Sequence, residues 1–190
     1  MSKGRLFVIS ASSGTGKTTL ARELLKKDRN LVQSISYTTR KPRHNERQGI
    51  DYFFVSKKEF LAIRKKNGFL EWANVFGRYY GTPKKEVEQH IKRKRDVILL
   101  IDVQGAKKVK RTKPDAVFIF ITPPSKEELK RRLIRRGPES RAEIEKRYRV
   151  ATSELKELND LRLCDYRIVN REINVARQVL EAIIRAERHQ

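Results

Sequence analysis

Four stretches of this chain are apolar almost without interruption: residues 6–9, 97–101, 117–121 and 166–169. Short continuous runs, rather than alternating ones, predict strands buried on both faces. Between them apolar residues recur at helical spacing, predicting helices over residues 18–27, 103–110, 126–135 and 173–188. In the last of these the recurring positions are Val175, Val179, Ile183 and Ala186. Strands alternating with helices predict an α/β fold, a three-layer parallel sheet with helices on both faces.

Two stretches break the alternation. In residues 34–82 the aromatic segments Tyr52-Phe53-Phe54-Val55 and 69–76 predict short strands. Between these segments a helix starts at Ser56, where Ser56 and Glu59 match a capping box. This is a small α+β insertion. In residues 125–149, Ser125 and Glu128 match a second capping box, and arginine recurs at 131, 132, 135, 136, 141, 147 and 149. A Gly137-Pro138 break divides that stretch into two helices. An arginine-rich hairpin with few large apolar residues predicts a lid rather than a core.

The chain's 190 residues suffice for one sizeable core. No apolar run is long enough to span a bilayer. Lys3 and Arg5 lead into a strand too short for a secretory signal. The single cysteine, Cys164, leaves no partner for an internal disulfide and fits a reducing cytosol, which predicts a cytoplasmic protein. His44, His90 and His189 show no metal-ligand spacing. Forty-five Lys and Arg against 23 Asp and Glu give a net charge of +22. Such a charge attracts polyanions. The basic residues are nevertheless spread over every helix, form no tail and are not interleaved with aromatic stacking platforms. That distribution favours solvated helix faces, and nucleic acid is not required as a partner.

Directly after the first apolar run comes Ala11-Ser12-Ser13-Gly14-Thr15-Gly16-Lys17-Thr18, followed by the amphipathic Leu20, Leu24 and Leu25. A strand, a glycine-rich turn and a helix start aim several N–H groups and the helix's positive end at one point. This predicts a nucleoside triphosphate site, with Lys17 and the amides of residues 14–18 as cradle and Thr18 placed to hold magnesium. Asp102 ends an apolar run, where open α/β sheets face their ligands. It could serve the metal's water shell or the acceptor, or simply cap a helix. Arg40 and Arg43 bracket Pro42, and two guanidinium forks can clamp a dianionic phosphate. Tyr52, Tyr79, Tyr80 and Thr82 add hydroxyl donors. Glu71 lies inside Phe69-Leu70-Glu71-Trp72, where a carboxylate is costly to desolvate unless donors meet it. The N1–H and N2–H₂ edge of guanine supplies such donors.

These pieces, in this order, resemble guanylate kinase from Leu6 to the C-terminus. The resemblance rests on the P-loop, Ser36-x-Thr38-Thr39-Arg40-x-Pro42-Arg43, Gly49-x-Asp51-Tyr52-x-Phe54, Phe69-x-Glu71 and Tyr80-Gly81-Thr82. It continues through Ile101-Asp102-Val103-Gln104-Gly105, Pro123-Pro124-Ser125, Arg136-Gly137 and Val169-Asn170. It implies transfer of the terminal phosphoryl group of ATP to GMP, and to dGMP, with Mg²⁺. Ser36, Glu71, Thr82 and Asp102 would read guanine. Arg40, Arg43, Tyr52 and Tyr80 would hold the GMP phosphate. Arg136 and Arg147 would act with Lys17 in catalysis, and Ala11 to Thr18 with Asn170 would bind ATP. It also implies a core (1–33, 94–124 and 150–190), a GMP-binding domain (34–93) and a lid (125–149). Leu100 departs from the pattern, since many relatives carry an acid there, and any metal or acceptor role of that acid does not carry over. The rival readings are an inactive protein-binding module, an ATPase driven by nucleic acid and a kinase for another nucleoside monophosphate. The oligomeric state stays open.

Overall fold

The computed structural model describes residues 3–75, 77–135, 140–158 and 163–189. From β1 (Leu6–Ala11) the chain passes through the glycine-rich turn into α1 (Lys17–Lys27) and on to β2 (Leu31–Gln33). It then leaves for β3 (Tyr37–Thr38), β4 (Phe53–Phe54), α2 (Lys57–Lys65), β5 (Phe69–Val75) and β6 (Arg78–Pro83). Helix α3 (Lys84–Lys92) leads back to β7 (Asp96–Ile101), α4 (Val103–Thr112) and β8 (Val117–Thr122). Helices α5 (Lys126–Ile134) and α6 (Arg141–Leu158) make the second excursion before β9 (Tyr166–Val169) and α7 (Ile173–Arg188).

The five core strands form one sheet in the order β2-β7-β1-β8-β9, parallel throughout. Phe7, Ile9 and Ala11 pack with α1 and α7, whereas Leu6 and Val8 pack with α3 and α4. Both faces are covered, which explains the unbroken apolar runs. The chain winds from β1 out to β2 on one side, then crosses through α4 to β8 on the other. The carboxyl ends of β1 and β7 therefore flank a topological switch point, where α/β sheets open a crevice.

The insertion folds as a four-stranded sheet, β4-β3-β6-β5, against α2. Its core is aromatic. Phe60, fully buried, stacks on Phe69 at 4.5 Å and on Tyr79 at 5.4 Å between ring centroids. The Ser56–Glu59 capping box forms in both directions.

Several expectations need correction. At the second box only the Glu128 amide bonds to Ser125, because the Glu128 carboxylate turns instead to Arg131 and Arg132. The stripe of α7 against the sheet is Ala176, Leu180 and Ile184, while Val175, Val179 and Ala186 face solvent. This helix is apolar on two sides, and small Ala176 selects the one that approaches closely. Helix α6 continues from the lid stretch into the segment after it, ending at Leu158. The hairpin also has a small core of its own, Leu129, Leu133 and Ala151. Strands β2, β3 and β6 and helix α3 gave no apolar pattern to find. Phe76 and the Gly137-Pro138 break lie outside the described residues.

Candidate functional site

A cleft of about 710 Å³ opens at the switch point, walled by the glycine-rich turn, the insertion and α6. Gly14 and Gly16 hold φ angles of 90° and 93°, which L side chains avoid. A Cβ on Gly16 would stand 2.6 Å from the Asn170 Nδ2. That amide donates to the Thr15 carbonyl at 2.7 Å, and the Thr15 hydroxyl donates to the Ser12 carbonyl at 2.9 Å. The turn is thus stitched in place at the cleft, with the Thr15 N–H returned to the Ser12 carbonyl at 3.4 Å. Lys17, first residue of α1, crosses to the other side of the crevice and donates to the Ile101 carbonyl at 2.7 Å. Ala11 to Thr18 all line the cleft. Asn170 lies behind the turn, buried, with its backbone N–H bonded to the Thr122 carbonyl.

On the insertion side, Arg40 makes two 2.8 Å hydrogen bonds to Glu46, one from each terminal nitrogen. The Arg43 backbone N–H donates to the same carboxylate at 2.8 Å. The Arg40 guanidinium also stands over the rings of Tyr52 and Phe54, at 5.4 and 5.7 Å. Glu46 accepts this set of donors as a phosphate would, and Arg40 holds its carboxyl below the usual range against the opposing effect of burial. Tyr52 and Tyr80 meet edge to face at 6.0 Å, and burial pushes the Tyr52 phenol up. Ser36, Arg40, Arg43, Tyr52 and Tyr80 line one wall.

Glu71 stands between the two halves. It is 6% exposed, on β5, and accepts a 2.6 Å hydrogen bond from the Thr82 hydroxyl of the paired strand β6. Its other oxygen lies so near the first turn of α4 that a Cβ on Gly105 would approach within 2.8 Å. Burial pushes its carboxyl up to about 7, with nearby Asp102 adding to the rise and Thr82 and Lys108 opposing it. Asp102 caps α4, accepting from the Gly105 N–H at 2.7 Å, and also lines the cleft. The helix cap anticipated for Asp102 forms, at the edge of the cleft.

From above, α6 reaches the glycine-rich turn. Arg147 donates to the Ser13 hydroxyl at 2.7 Å. Two turns further along, Glu154 lies near the Ser13 backbone N–H. Burial, with Asp102 and Glu157 nearby, pushes Glu154 up to about 7 while Lys17 pulls it down. Arg136 lies outside the described residues. The sequence assigned no role to Glu154, Arg78, Arg132 or Lys146, yet all four line the cleft. The seven-residue spacing of Arg147 and Glu154, on one face of a helix, was the available signal for Glu154. Leu100 also lines the cleft.

Among the described residues no group of three or more His, Cys, Asp or Glu is placed to hold a metal. No helix among them is long and apolar enough to cross a membrane.

Comparison with known proteins gives the family and the fold. A family model described as Guanylate kinase matches residues 3–187. The guanylate kinase of Clostridioides difficile (strain 630) is 44% identical over 98% of this chain and 90% of its own. That of Clostridium tetani is 47% identical over 99% of this chain and 88% of its own. The crystal structure of guanylate kinase from Anaplasma phagocytophilum superposes with a TM-score of 0.83 at 36% identity, covering all of this chain and 88% of that one.

Proposed function

The chain belongs to the guanylate kinase family, and from that premise we propose how its residues divide the work of phosphorylating GMP to GDP with ATP. The amides of residues 14–18 and Lys17 bind the triphosphate, with Asn170 on the adenine side. Arg40, Arg43, Tyr52 and Tyr80 hold the GMP phosphate, with Glu46 aligning the Arg40 guanidinium. Ser36, Glu71, Thr82 and Asp102 read guanine. The observation that carries this reading is Glu71, a buried carboxylate facing the same cleft as the triphosphate cradle. A carboxylate accepts from the N1–H and N2–H₂ donors of guanine, and adenine offers no such pair. The deoxyribose analogue dGMP presents the same base and phosphate, so it is a substrate too.

The attacking group is a phosphate oxygen, ionised at neutral pH, so no general base is needed. Catalysis then consists of alignment and charge neutralisation by Lys17, Arg147 and Arg136. Mg²⁺ fits the donors present, because the Thr18 hydroxyl lines the cleft as a hard oxygen ligand and the ion takes the rest of its shell from phosphates and water. Thr18 would hold the ion, which supplies charge neutralisation on the phosphates. Residues 34–93 act as the GMP-binding domain, 125–149 as the lid, and the remaining segments as core. The partners are small nucleotides, nucleic acid is not required, and the protein works in the cytoplasm. An ADP-release assay across GMP, dGMP, AMP, CMP and UMP tests the reading. Turnover confined to GMP and dGMP is expected, and comparable AMP turnover would overturn the base assignment.

A further inference from the structure

Glu71 borders two hollows. Behind β5, between the insertion and α4, lies a second one of about 310 Å³, and Arg64, Asn67, Glu71, Trp72, Lys108 and Thr112 are among its lining residues. Lys108 reaches across it from α4. Its Nζ donates to the Trp72 carbonyl and sits 4.5 Å from the centroid of the Trp72 ring. Arg64 of α2 also stands over that ring, at 4.5 Å. The ammonium is therefore fastened to the backbone and ring of the residue next to Glu71, outside the nucleotide cleft.

We propose that Lys108 is a positioning residue for base selection, a cation pinned behind β5 whose field keeps the buried Glu71 carboxylate charged and able to accept guanine's N–H groups. The proposal rests on the reading of Glu71 as guanine's partner. The electrostatics around that carboxyl agree with it. Burial and Asp102, at the α4 N-cap, favour the neutral acid; the Thr82 hydroxyl and backbone N–H of β6, with Lys108 of α4, favour the anion. On the acid side of about 7 Glu71 carries a proton and presents a donor where guanine also presents donors. Lys108 thus adds to the Thr82 hydroxyl in holding the working range of the base site near neutral pH.

Two measurements on Lys108→Met and Lys108→Arg test this. The first follows the carboxyl ¹³C resonance of Glu71 against pH in the nucleotide-free protein, assigned with Glu71→Gln. The second follows kcat/KM for GMP between pH 5.5 and 9. Removing the charge should raise the Glu71 titration by about one pH unit. The acid limb of kcat/KM should move with it, giving about a fivefold loss at pH 7 and almost none at pH 9. Titration of the GMP phosphate is common to all variants and cancels in the difference. Lys108→Arg should restore both profiles. An unmoved Glu71 resonance, or a loss equal at every pH, would overturn the proposal and leave Lys108 a packing residue. A moved resonance with an unmoved GMP profile would overturn it through its premise, showing that Glu71 does not read the base.

Discussion

Where the P-loop offers an anion backbone amides fixed by β1, α1 and the Asn170 side chain, the insertion offers the guanidinium groups of Arg40, hydrogen-bonded to Glu46, and of Arg43, 3.9 Å from it. The first is built on the central strand of a five-stranded sheet, the second on a two-residue strand and a loop. Backbone donors have no rotamers to lose and can be held by the core, so they suit a ligand recognised by charge alone. Side-chain donors choose by shape and identity, but something must hold them until the ligand arrives. Here the holder is an internal carboxylate. On the proposed assignment, recognition of charge falls to the rigid end of the cleft and recognition of identity to the adaptable end.

The largest effect should come from the rigid end. Lys17→Ala should lower kcat about 10³-fold, because the ammonium stabilises phosphoryl charge most in the transition state. Steady-state assays with an unchanged circular dichroism spectrum check this, and retention of most activity would break the contrast. At the other end, Glu71→Gln should cost about 10²-fold in kcat/KM for GMP while leaving the KM for ATP nearly unchanged. A loss shared equally by both substrates would show that the two ends are not separable.

Glu46→Gln sharpens the comparison further. It keeps the side chain's size and one acceptor, but it loses the charge that aligns Arg40. The KM for GMP should rise about tenfold with a smaller change in kcat. A lowered KM would instead mark Glu46 as a competitor of the phosphate. The smallest effect concerns the net charge of +22. Surface lysines act through a screened field, so kcat should change less than about twofold between roughly 50 and 200 mM salt. A steep fall would mean that distant charges share in catalysis.

The same division governs what was legible in the sequence. The core strands and the P-loop announce themselves because burial on both faces and a strained turn restrict residue choice locally. Strand β6, by contrast, reads Arg-Tyr-Tyr-Gly-Thr-Pro, and only its pairing with β5 and β3 makes it a strand. Arg40 and Arg43 were found by spacing, but Glu46, which holds them, was not, since a carboxylate in a charged loop carries no pattern. Glu71 was conspicuous as an acid among apolar neighbours. Its supports Gly105 and Lys108 come from α4, far along the chain, and only the fold brings them to it. Charged residues that depend on distant partners are the ones that local patterns miss.

Helix α6 is a rod that touches both the sheet and the P-loop. Leu155 packs against both the core sheet and the small hairpin core, while Arg147, eight residues away, meets the P-loop. At about 1.5 Å of rise per residue the two lie about 12 Å apart along the axis. A tilt of about 10° about Leu155 therefore carries the guanidinium by about 2 Å, the difference between a made and a broken hydrogen bond. Leu155 would then serve as a fulcrum, and small repacking at the sheet would shift Arg147 against the Ser13 hydroxyl. A bulkier or smaller residue at 155 would accordingly alter the timing of turnover without touching a nucleotide.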